Sequence, residues 1–239
     1  MRLSPNLVSS RIDLDPRPRR IPGPPDAIAW PTERRLQCPQ IVPPPPSQFT
    51  AVLEARRSNR ALAPAPLREL TNVLAYATRP RFILDGDPYT RSRRLAASAG
   101  AIHPVEIVVA DSRGAGRLMR YSASDNHLEL LRIARPKRLQ EFFLSTTELL
   151  PSADASALIF IADLPRIQAL YQNPSSLIWR DAGALLQTVG LAAVAYRLGF
   201  CPLGMLGTEI VEALALPRER AQPVGSALIG RPPSAGDED

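Results

Sequence analysis

The sequence predicts an α+β fold built on a central mixed or antiparallel sheet. Helical and strand patterns interleave along the chain, but they lack the regular alternation of strand and helix that produces a parallel sheet. Two short runs, 105–110 and 157–162, are nearly continuous apolar segments of the kind found in buried strands. The chain has 239 residues, of which 45% are hydrophobic and 22% charged, which is enough for one sizeable core or two small ones.

The first part of the chain is rich in proline. Prolines cluster in DPRPRRIPGPPD at 15–26 and again in VPPPP at 42–46. Because proline cannot donate a backbone hydrogen bond to a sheet, we expect residues 1–46 to form an extended arm rather than a packed domain. Residues 47–239 are then expected to form the folded domain.

Two helices are predicted after the arm. The first starts at the candidate N-cap Ser47 and places Phe49 and Leu53 on one face. The second begins after Pro66 and ends before Pro80, because proline is favoured at a helix start and cannot continue a helix. Its apolar residues fall on one side: Leu67, Leu70, Val73, Leu74 and Ala77.

The middle of the chain is predicted to consist mainly of strands. Residues 105–110 form a buried strand, and 117–122 and 127–132 flank the turn-prone sequence SASDN and form a hairpin. A helix at 136–150 follows, and the apolar strand 157–162 comes next.

The last part is predicted to contain a long apolar helix and a final strand. Asp163 is a candidate cap of a short helix, and Asp181 is expected to cap the long one. The long helix should stop at Gly199, where a residue that tolerates positive φ is needed. A helix at 208–216 and a strand at 224–230 complete the chain.

Composition excludes several classes of protein. Cys38 and Cys201 are the only cysteines, so the chain is not stapled by disulfides, and with only two histidines we expect no metal site. The most apolar stretch, 182–196, is shorter than the roughly 20 residues that a membrane helix needs. No secretory signal opens the sequence, so we expect a cytoplasmic protein without a membrane partner.

The positive charge comes almost entirely from arginine, because Lys137 is the only lysine. The formal net charge is +6 and the isoelectric point is near 10.0. However, no basic stripe interleaved with aromatic residues is present, so we expect no nucleic-acid partner. No Walker loop, GxGxxG, GxSxG or HExxH motif occurs either, which leaves common hydrolase, kinase and dehydrogenase classes unsupported.

RRSNR at 56–60 is the first segment that could bind a ligand. Its three guanidinium groups and one hydroxyl can surround a phosphate with charge-assisted hydrogen bonds. The alternative is a solvated basic helix end, favoured by the helix dipole, and on this segment alone that is the simpler interpretation.

Two further segments have exposed backbone or an isolated polar residue. The small-residue turn 97–101 would let main chain approach a flat polar ligand, although an ordinary loop explains it as well. The glycine-bracketed segment 199–207 follows the apolar helix, in which Gln187 needs a partner if it is buried. Cys201 and His103 are interpreted as packed core residues rather than as a nucleophile and a base.

Taken in order, these segments resemble the nitroreductase superfamily of FMN enzymes, and within it the SagB-type dehydrogenases that oxidise azoline rings in modified peptides. RRSNR resembles the family's RRSxR, and ASAGAIHPVEIVV resembles PSAGALYPLEVYV. DAGALLQTVGLAAVAYRLGFCPLGML resembles EAGHxAQNLxLAAxALGLGxVPIGGF, and ALIGRPP resembles the terminal strand. The resemblance spans 49–232 and implies a nitroreductase-like fold with a mostly antiparallel sheet surrounded by helices, an FMN cofactor and an intertwined homodimer.

The resemblance also implies which residues hold the cofactor. The FMN phosphate and ribityl chain fall to Arg56, Arg57, Ser58 and Arg60, with Arg231 as a further phosphate contact. The flavin ring falls to Ser98, Ala99 and Gly100 along the pyrimidine edge, Gln187 beside the ring, and the backbone of Leu203 and Gly204 facing the reactive nitrogen.

Tyr171 is the candidate catalytic residue. It aligns with the tyrosine of a Lys-Tyr pair that azoline-oxidising members carry before the long helix, whereas Leu170 stands at the lysine position. A leucine cannot act as a base, so the family's usual route to azoles lacks one of its groups here.

The resulting hypothesis is an FMN-dependent oxidoreductase of SagB-like type. It would dehydrogenate a heterocycle in a small molecule or peptide intermediate of natural-product biosynthesis, together with partner enzymes. One alternative is an NAD(P)H-dependent nitroreductase or quinone reductase, which needs no Lys-Tyr pair. The other is a flavin-free scaffold of a biosynthetic complex, suggested by the missing lysine.

Overall fold

A computed structural model describes residues 14–111 and 116–233. The described strands are β1 (Arg17–Pro18), β2 (Thr32–Gln37), β3 (Phe82–Ile83), β4 (Ser92–Arg93), β5 (Val105–Asp111), β6 (Arg117–Ser122), β7 (His127–Leu131), β8 (Ser156–Asp163), β9 (Tyr171–Gln172), β10 (Gly199–Leu203) and β11 (Ala221–Gly230). The described helices are α1 (Phe49–Ala55), α2 (Leu67–Thr78), α3 (Pro136–Leu149), α4 (Leu164–Gln168), α5 (Ser175–Ala195) and α6 (Thr208–Ala213), with a 3-10 turn at Ala99–Ala101.

A seven-stranded sheet forms the centre of the molecule, in the order β10-β11-β8-β5-β6-β7-β2. Every neighbouring pair in it is antiparallel. Two small antiparallel ladders lie outside it, β1 with β9 and β3 with β4. The α+β class and the antiparallel central sheet predicted from the sequence are therefore confirmed.

Both faces of the sheet are covered by helices. Along β5, Ile107 and Val109 point into the first core, which also contains residues of α2 and α5. Val108 and Ala110 point into the second core, which also contains residues of α3 and α6. Since successive side chains of a strand point to opposite faces, a strand covered on both sides must be apolar at every position. This arrangement explains the apolar runs 107–110 in β5 and 157–162 in β8.

The boundaries predicted for the long helix are wrong at both ends. α5 begins at Ser175, and Asp181 lies inside it rather than at its cap. The helix ends at Ala195, Arg197 adopts the positive φ of 60°, and Gly199 is already the first residue of β10. The predicted start of the helix is wrong because Asp181, a polar residue, lies inside α5 and makes its hydrogen bonds to another segment.

Two other boundaries differ from the sequence prediction. α6 ends at Ala213 rather than at Leu216, and β11 begins at Ala221 rather than at Val224. Pro223 lies inside β11, where the pairing with β8 shifts by a bulge between Pro223 and Gly225. A bulge tolerates the missing N–H group of proline, which is why the strand extends past it.

The proline-rich segment lies along the domain, as far as the structure describes it. Its residues 32–37 form β2, which pairs with β7 at one edge of the central sheet, and Arg17–Pro18 pairs with β9. Ile28 is buried in the second core, and its N–H group donates to Asp163 Oδ2 at 2.9 Å. The segment predicted as an arm therefore contributes an edge strand and part of a core, while residues 1–13 lie outside the described range.

Stability should depend on pH through Asp163. Burial raises the pKa of this carboxyl to about 6 from an ordinary 3.8, although the Ile28 and Arg166 N–H groups oppose the shift. The folded chain therefore binds this proton more tightly than the unfolded chain, and the stability it contributes at low pH is lost as the pH rises from about 4 to about 6.

We expect Asp163→Asn to remove this pH dependence. Of the roughly 3 kcal/mol that the raised pKa is worth at 1.36 kcal/mol per pKa unit, about 2 kcal/mol falls between pH 4 and pH 7, and the free energy of unfolding of the variant should rise by that amount relative to wild type. Urea unfolding of both proteins across this range is the measurement. Parallel stability curves would contradict the assignment of a raised pKa to this group.

Candidate active site

The RRSNR segment is fixed against β10. Just after α1, Ser58 forms a parallel bridge with Phe200, and the Asn59 N–H group donates to the Phe200 carbonyl at 3.1 Å. The Phe200 N–H group donates in turn to Asn59 Oδ1 at 3.4 Å. The main chain that carries the predicted phosphate residues is thus anchored to the strand that carries Leu203.

Two paired glycines allow the segment 59–63 to pack closely against β10 and β11. Gly199 and Gly230 face each other in the β10–β11 ladder. A Cβ atom at Gly199 would contact Leu62, and one at Gly230 would clash with the main-chain oxygen of Ala63. At Gly230 only a residue without a side chain fits, because the obstacle is main chain, whereas at Gly199 the Leu62 side chain would have to move.

The arginines of the segment are exposed. Arg56, Arg57 and Arg60 are largely in solvent, and the structure shows no carboxylate partner for them within the described ranges. Arg60 lies close enough to Cys201 for its charge to oppose the raised pKa that burial gives this thiol. These guanidinium groups are therefore free to bind an external anion.

Arg231 behaves differently from the other predicted phosphate residues. Its main chain pairs with Ala63 through two 2.8 Å hydrogen bonds, which brings it next to the RRSNR segment. Its guanidinium group, however, forms a salt bridge with Glu69 at 2.6 Å. Arg231 would have to leave Glu69 or share its donors in order to contact a phosphate.

The small-residue turn is held by α5 through one carboxylate. Asp181 Oδ2 accepts a hydrogen bond from the Ser98 hydroxyl at 2.6 Å, and Asp181 Oδ1 accepts one from the Ala99 N–H group at 3.1 Å. Burial raises the pKa of Asp181, and the bonds from Ser98 and Ala99 lower it. Ser98 Oγ also accepts from the His103 N–H group at 2.9 Å, which closes the turn.

Gly100 lies against the predicted catalytic tyrosine. It adopts a positive φ of 59°, and a Cβ atom there would lie 3.1 Å from Tyr171 Oη and 3.4 Å from the tyrosine ring. Tyr171 is half-buried and packs against the first core together with Leu170. The structure thus brings together a predicted cofactor residue and the predicted catalytic residue, which are far apart in the sequence.

The remaining predicted residues are wholly or partly exposed. Gln187 is exposed on α5, so it needs no internal partner. Leu203 ends β10 and packs in part against the second core, and within the described ranges no atom lies within 4 Å of the place of a Cβ atom at Gly204. Further along α5, Gly190 lies 3.0 Å, measured from its Cβ position, from the Phe200 ring, so this one helix contacts both the turn and β10.

His103 is part of the turn but not a base. Its Nε2 atom lies 2.8 Å from the Ser92 carbonyl, and burial together with the nearby Arg94 charge lowers the pKa of His103 to about 4. The ring is therefore neutral near pH 7 and donates its Nε2–H group to Ser92. The sequence missed the role of Asp181, although an acid inside an apolar helix could have indicated a buried partner.

The described ranges contain no group of three or more His, Cys, Asp or Glu residues that could hold a metal ion. Among the described helices, none is long and apolar enough to cross a membrane.

Comparison with known proteins identifies the family. The sequence model of the Nitroreductase family matches residues 53–231, which is most of the chain and includes every segment of the candidate active site. The chain belongs to the nitroreductase family. Among curated proteins, none matches this sequence.

Solved structures support the nitroreductase fold. A provisionally assigned nitroreductase from Ralstonia eutropha JMP134 is 22% identical, with a TM-score of 0.64 over 92% of this chain and 100% of that one. Another from Anabaena variabilis ATCC 29413 is 22% identical, with a TM-score of 0.57 over 77% of this chain and 38% of that one. The Escherichia coli microcin synthetase McbBCD complex, with truncated pro-MccB17 bound, contains a chain that is 14% identical, with a TM-score of 0.51 over 75% of this chain and 70% of that one.

We expect Asp181→Ala to loosen the turn of this nitroreductase-family chain. The Ala99 N–H group would lose its acceptor, which costs about 1 kcal/mol for a part-buried donor. The Ala99 amide should exchange with solvent faster than in wild type, as measured by hydrogen exchange, and urea unfolding should show the loss of stability. Ser98→Ala is the matched control, because it keeps the Ala99 bond. Unchanged exchange at Ala99 in Asp181→Ala would refute this role.

Proposed function

We propose that this protein is an FMN-dependent oxidoreductase of SagB-like type. Its substrate would be a heterocycle in a small molecule or peptide-like intermediate, and its reaction a dehydrogenation. The observation that carries the proposal is the contact of Tyr171 with Gly100. It places a phenol, a group able to transfer a proton, on the turn expected to hold the flavin ring.

The arginine segment suits the phosphate of FMN. Arg56, Arg57 and Arg60 have no carboxylate partner within the described ranges, and Ser58 adds a hydroxyl on the same turn. Phosphate binds best to guanidinium groups that present several donors in a fixed fork. Arg231 is a weaker candidate because Glu69 competes for its donors.

The turn and the end of β10 suit the flavin ring. Gly100 and Gly204 present main chain without a side chain, and the space beside Gly204 is open. Gln187 offers an exposed amide on α5. The Ala99 N–H group is already bonded to Asp181, so Ala99 would pack against the flavin ring without donating a hydrogen bond to it.

FMN, when bound, supplies the hydride chemistry, and the protein supplies binding, orientation and proton transfer. Tyr171 Oη is the group of this chain that would take or give the proton. Leu170 is partly buried in the first core and cannot share that task. The Asp181 carboxylate would hold the turn in place while the substrate binds on the Tyr171 side.

The proposal includes partner enzymes and a peptide-like substrate. The microcin synthetase complex named above has truncated pro-MccB17 bound and contains a chain of the same fold, and the SagB-like motifs of the sequence favour a related role. The likeness of the structures concerns the fold. The peptide substrate, the partners and the cytoplasmic location rest on the sequence resemblance.

A homodimer is also part of the proposal. Helix α1 buries none of its residues in the single chain, and Phe49 and Leu53 remain 69% and 42% exposed. Large apolar residues on an unburied helix favour an interface. A monomeric mass in solution with flavin bound would refute it.

An NAD(P)H-dependent nitroreductase or quinone reductase is the second candidate function. The specific observation in its favour is Leu170, which packs against the core at the place of the family's lysine. Reduction of a nitroaromatic or quinone needs no such base. Rapid reduction of the bound flavin by NAD(P)H, followed by turnover of a nitroaromatic, would favour this candidate over the first.

We expect the purified protein to release FMN on denaturation, as identified from its absorption spectrum. Arg56→Gln and Arg60→Gln should each weaken FMN binding by about tenfold or more, because each removes a charge-assisted hydrogen bond. Arg68→Gln is the control, since Arg68 is an equally exposed arginine on α2. A colourless protein that refuses added FMN would instead favour the flavin-free scaffold.

We expect Tyr171→Phe to separate flavin binding from substrate oxidation. The ring that packs on Gly100 is kept, so FMN affinity should stay near the wild-type value. Loss of the hydroxyl should slow dehydrogenation of an azoline-containing peptide by about 10²–10⁴-fold, the usual contribution of a general acid or base. Single-turnover kinetics of the loaded protein are the measurement. A variant as fast as wild type would remove Tyr171 from the catalytic role.

A further inference from the structure

A large cavity is lined by residues other than those expected to hold FMN. It has a volume of about 600 Å³ and is bounded by the proline-rich segment at 25–30, the segment 83–94 and the sheet. None of the residues expected to hold FMN is among the described residues that line it. A volume of this size accommodates a small organic molecule.

The floor of the cavity is a charged part of the sheet face. Glu106, Arg120 and Glu129 line this floor. Because side chains alternate between the two faces of a strand, these residues are on the same face of the sheet as the second core. Arg120 pairs with Glu106 at 3.2 Å and with Glu129 at 2.9 Å, and Arg166 pairs with Glu106 at 2.9 Å. These two carboxylates are therefore already neutralised by two arginines.

Arg94 is left without a carboxylate partner. Its Nε–H group donates to Ser92 Oγ at 3.1 Å, and no salt bridge to Arg94 is found in the described ranges. A guanidinium group has five N–H donors, so most of those on Arg94 have no protein acceptor in the described structure. Asp163 also lines the cavity, but its two oxygens accept the Ile28 and Arg166 main-chain N–H groups.

The guanidinium group of Arg94 is desolvated, and the positive charge of Arg166 lies near it as well as the negative charge of Glu106. Burial lowers the pKa of Arg94, and the nearby Glu106 offsets this only in part. His103, beside it, is neutral near pH 7 and supplies no charge of its own. Desolvated cations are stabilised by an anion that bonds to their free donors.

We propose that this cavity is a second ligand site, in which Arg94 binds the oxyanion of a small polar molecule. The oxyanion is a carboxylate or a phosphate, since the planar guanidinium fork matches both. Arg94 also lines a small cavity of about 20 Å³ with Ser98, His103 and Asp181, so the bound group would lie next to the turn of the candidate active site. The proposal does not depend on flavin binding.

Trp30 gives a direct test, because it lines the cavity and the chain has only two tryptophans. In full-length protein carrying Trp179→Phe, fluorescence then reports on Trp30 alone. Inorganic phosphate and succinate are titrated separately at constant ionic strength. We expect a saturable change with at least one of them, and the anion that binds tighter distinguishes phosphate from carboxylate chemistry.

Variants at two neighbouring arginines assign the binding to this cavity. Arg94→Gln should weaken the affinity for the anion by about tenfold or more, which is the effect of losing hydrogen bonds to a charged group. Arg93→Gln makes the same charge change at an exposed neighbour and should leave the affinity unchanged. Arg94→Lys keeps the charge and should reduce the affinity for the anion by a smaller factor. This variant preserves the test if Arg94→Gln does not fold. No saturable change with either anion, or equal affinity in Arg94→Gln and Arg93→Gln, would overturn the proposal.

Discussion

The buried carboxylate of Asp181 is the contact on which the candidate site depends. A carboxylate inside a helix that packs on an apolar core is destabilising unless donors satisfy it. Here the Ser98 hydroxyl and the Ala99 N–H group do so, and both belong to the turn. The contact joins the longest described helix to the small-residue segment, whose Gly100 lies against Tyr171. One side chain thus couples the core to the surface where ligands would bind.

The sequence predicted those elements that have a simple apolar pattern or clear proline boundaries. β5 and β8 were recognisable because burial on both faces makes most of their positions apolar, and α2 because prolines bound it. β2 could not be foreseen, since its exposed, charged sequence TERRLQ becomes a strand only by pairing with the distant β7.

The site was predicted in the same partial way. The motifs located the segments, but which side chains are free and which are engaged is a tertiary property. Arg231 illustrates this, because its phosphate role was inferred from the resemblance while its guanidinium group lies on Glu69. The contact between Tyr171 and Gly100 depends on how β9 and the turn meet in space, which no spacing in the sequence encodes.

The family match begins at residue 53, but the fold does not. β2 covers an edge of the sheet that would otherwise present the unpaired N–H and C=O groups of β7. Ile28 fills part of the second core, and Asp26 forms a salt bridge with Arg220 near the end of the chain. The stretch that the family model matches is therefore shorter than the folded unit, and trimming the chain to residues 53–231 would remove an edge strand and part of a core.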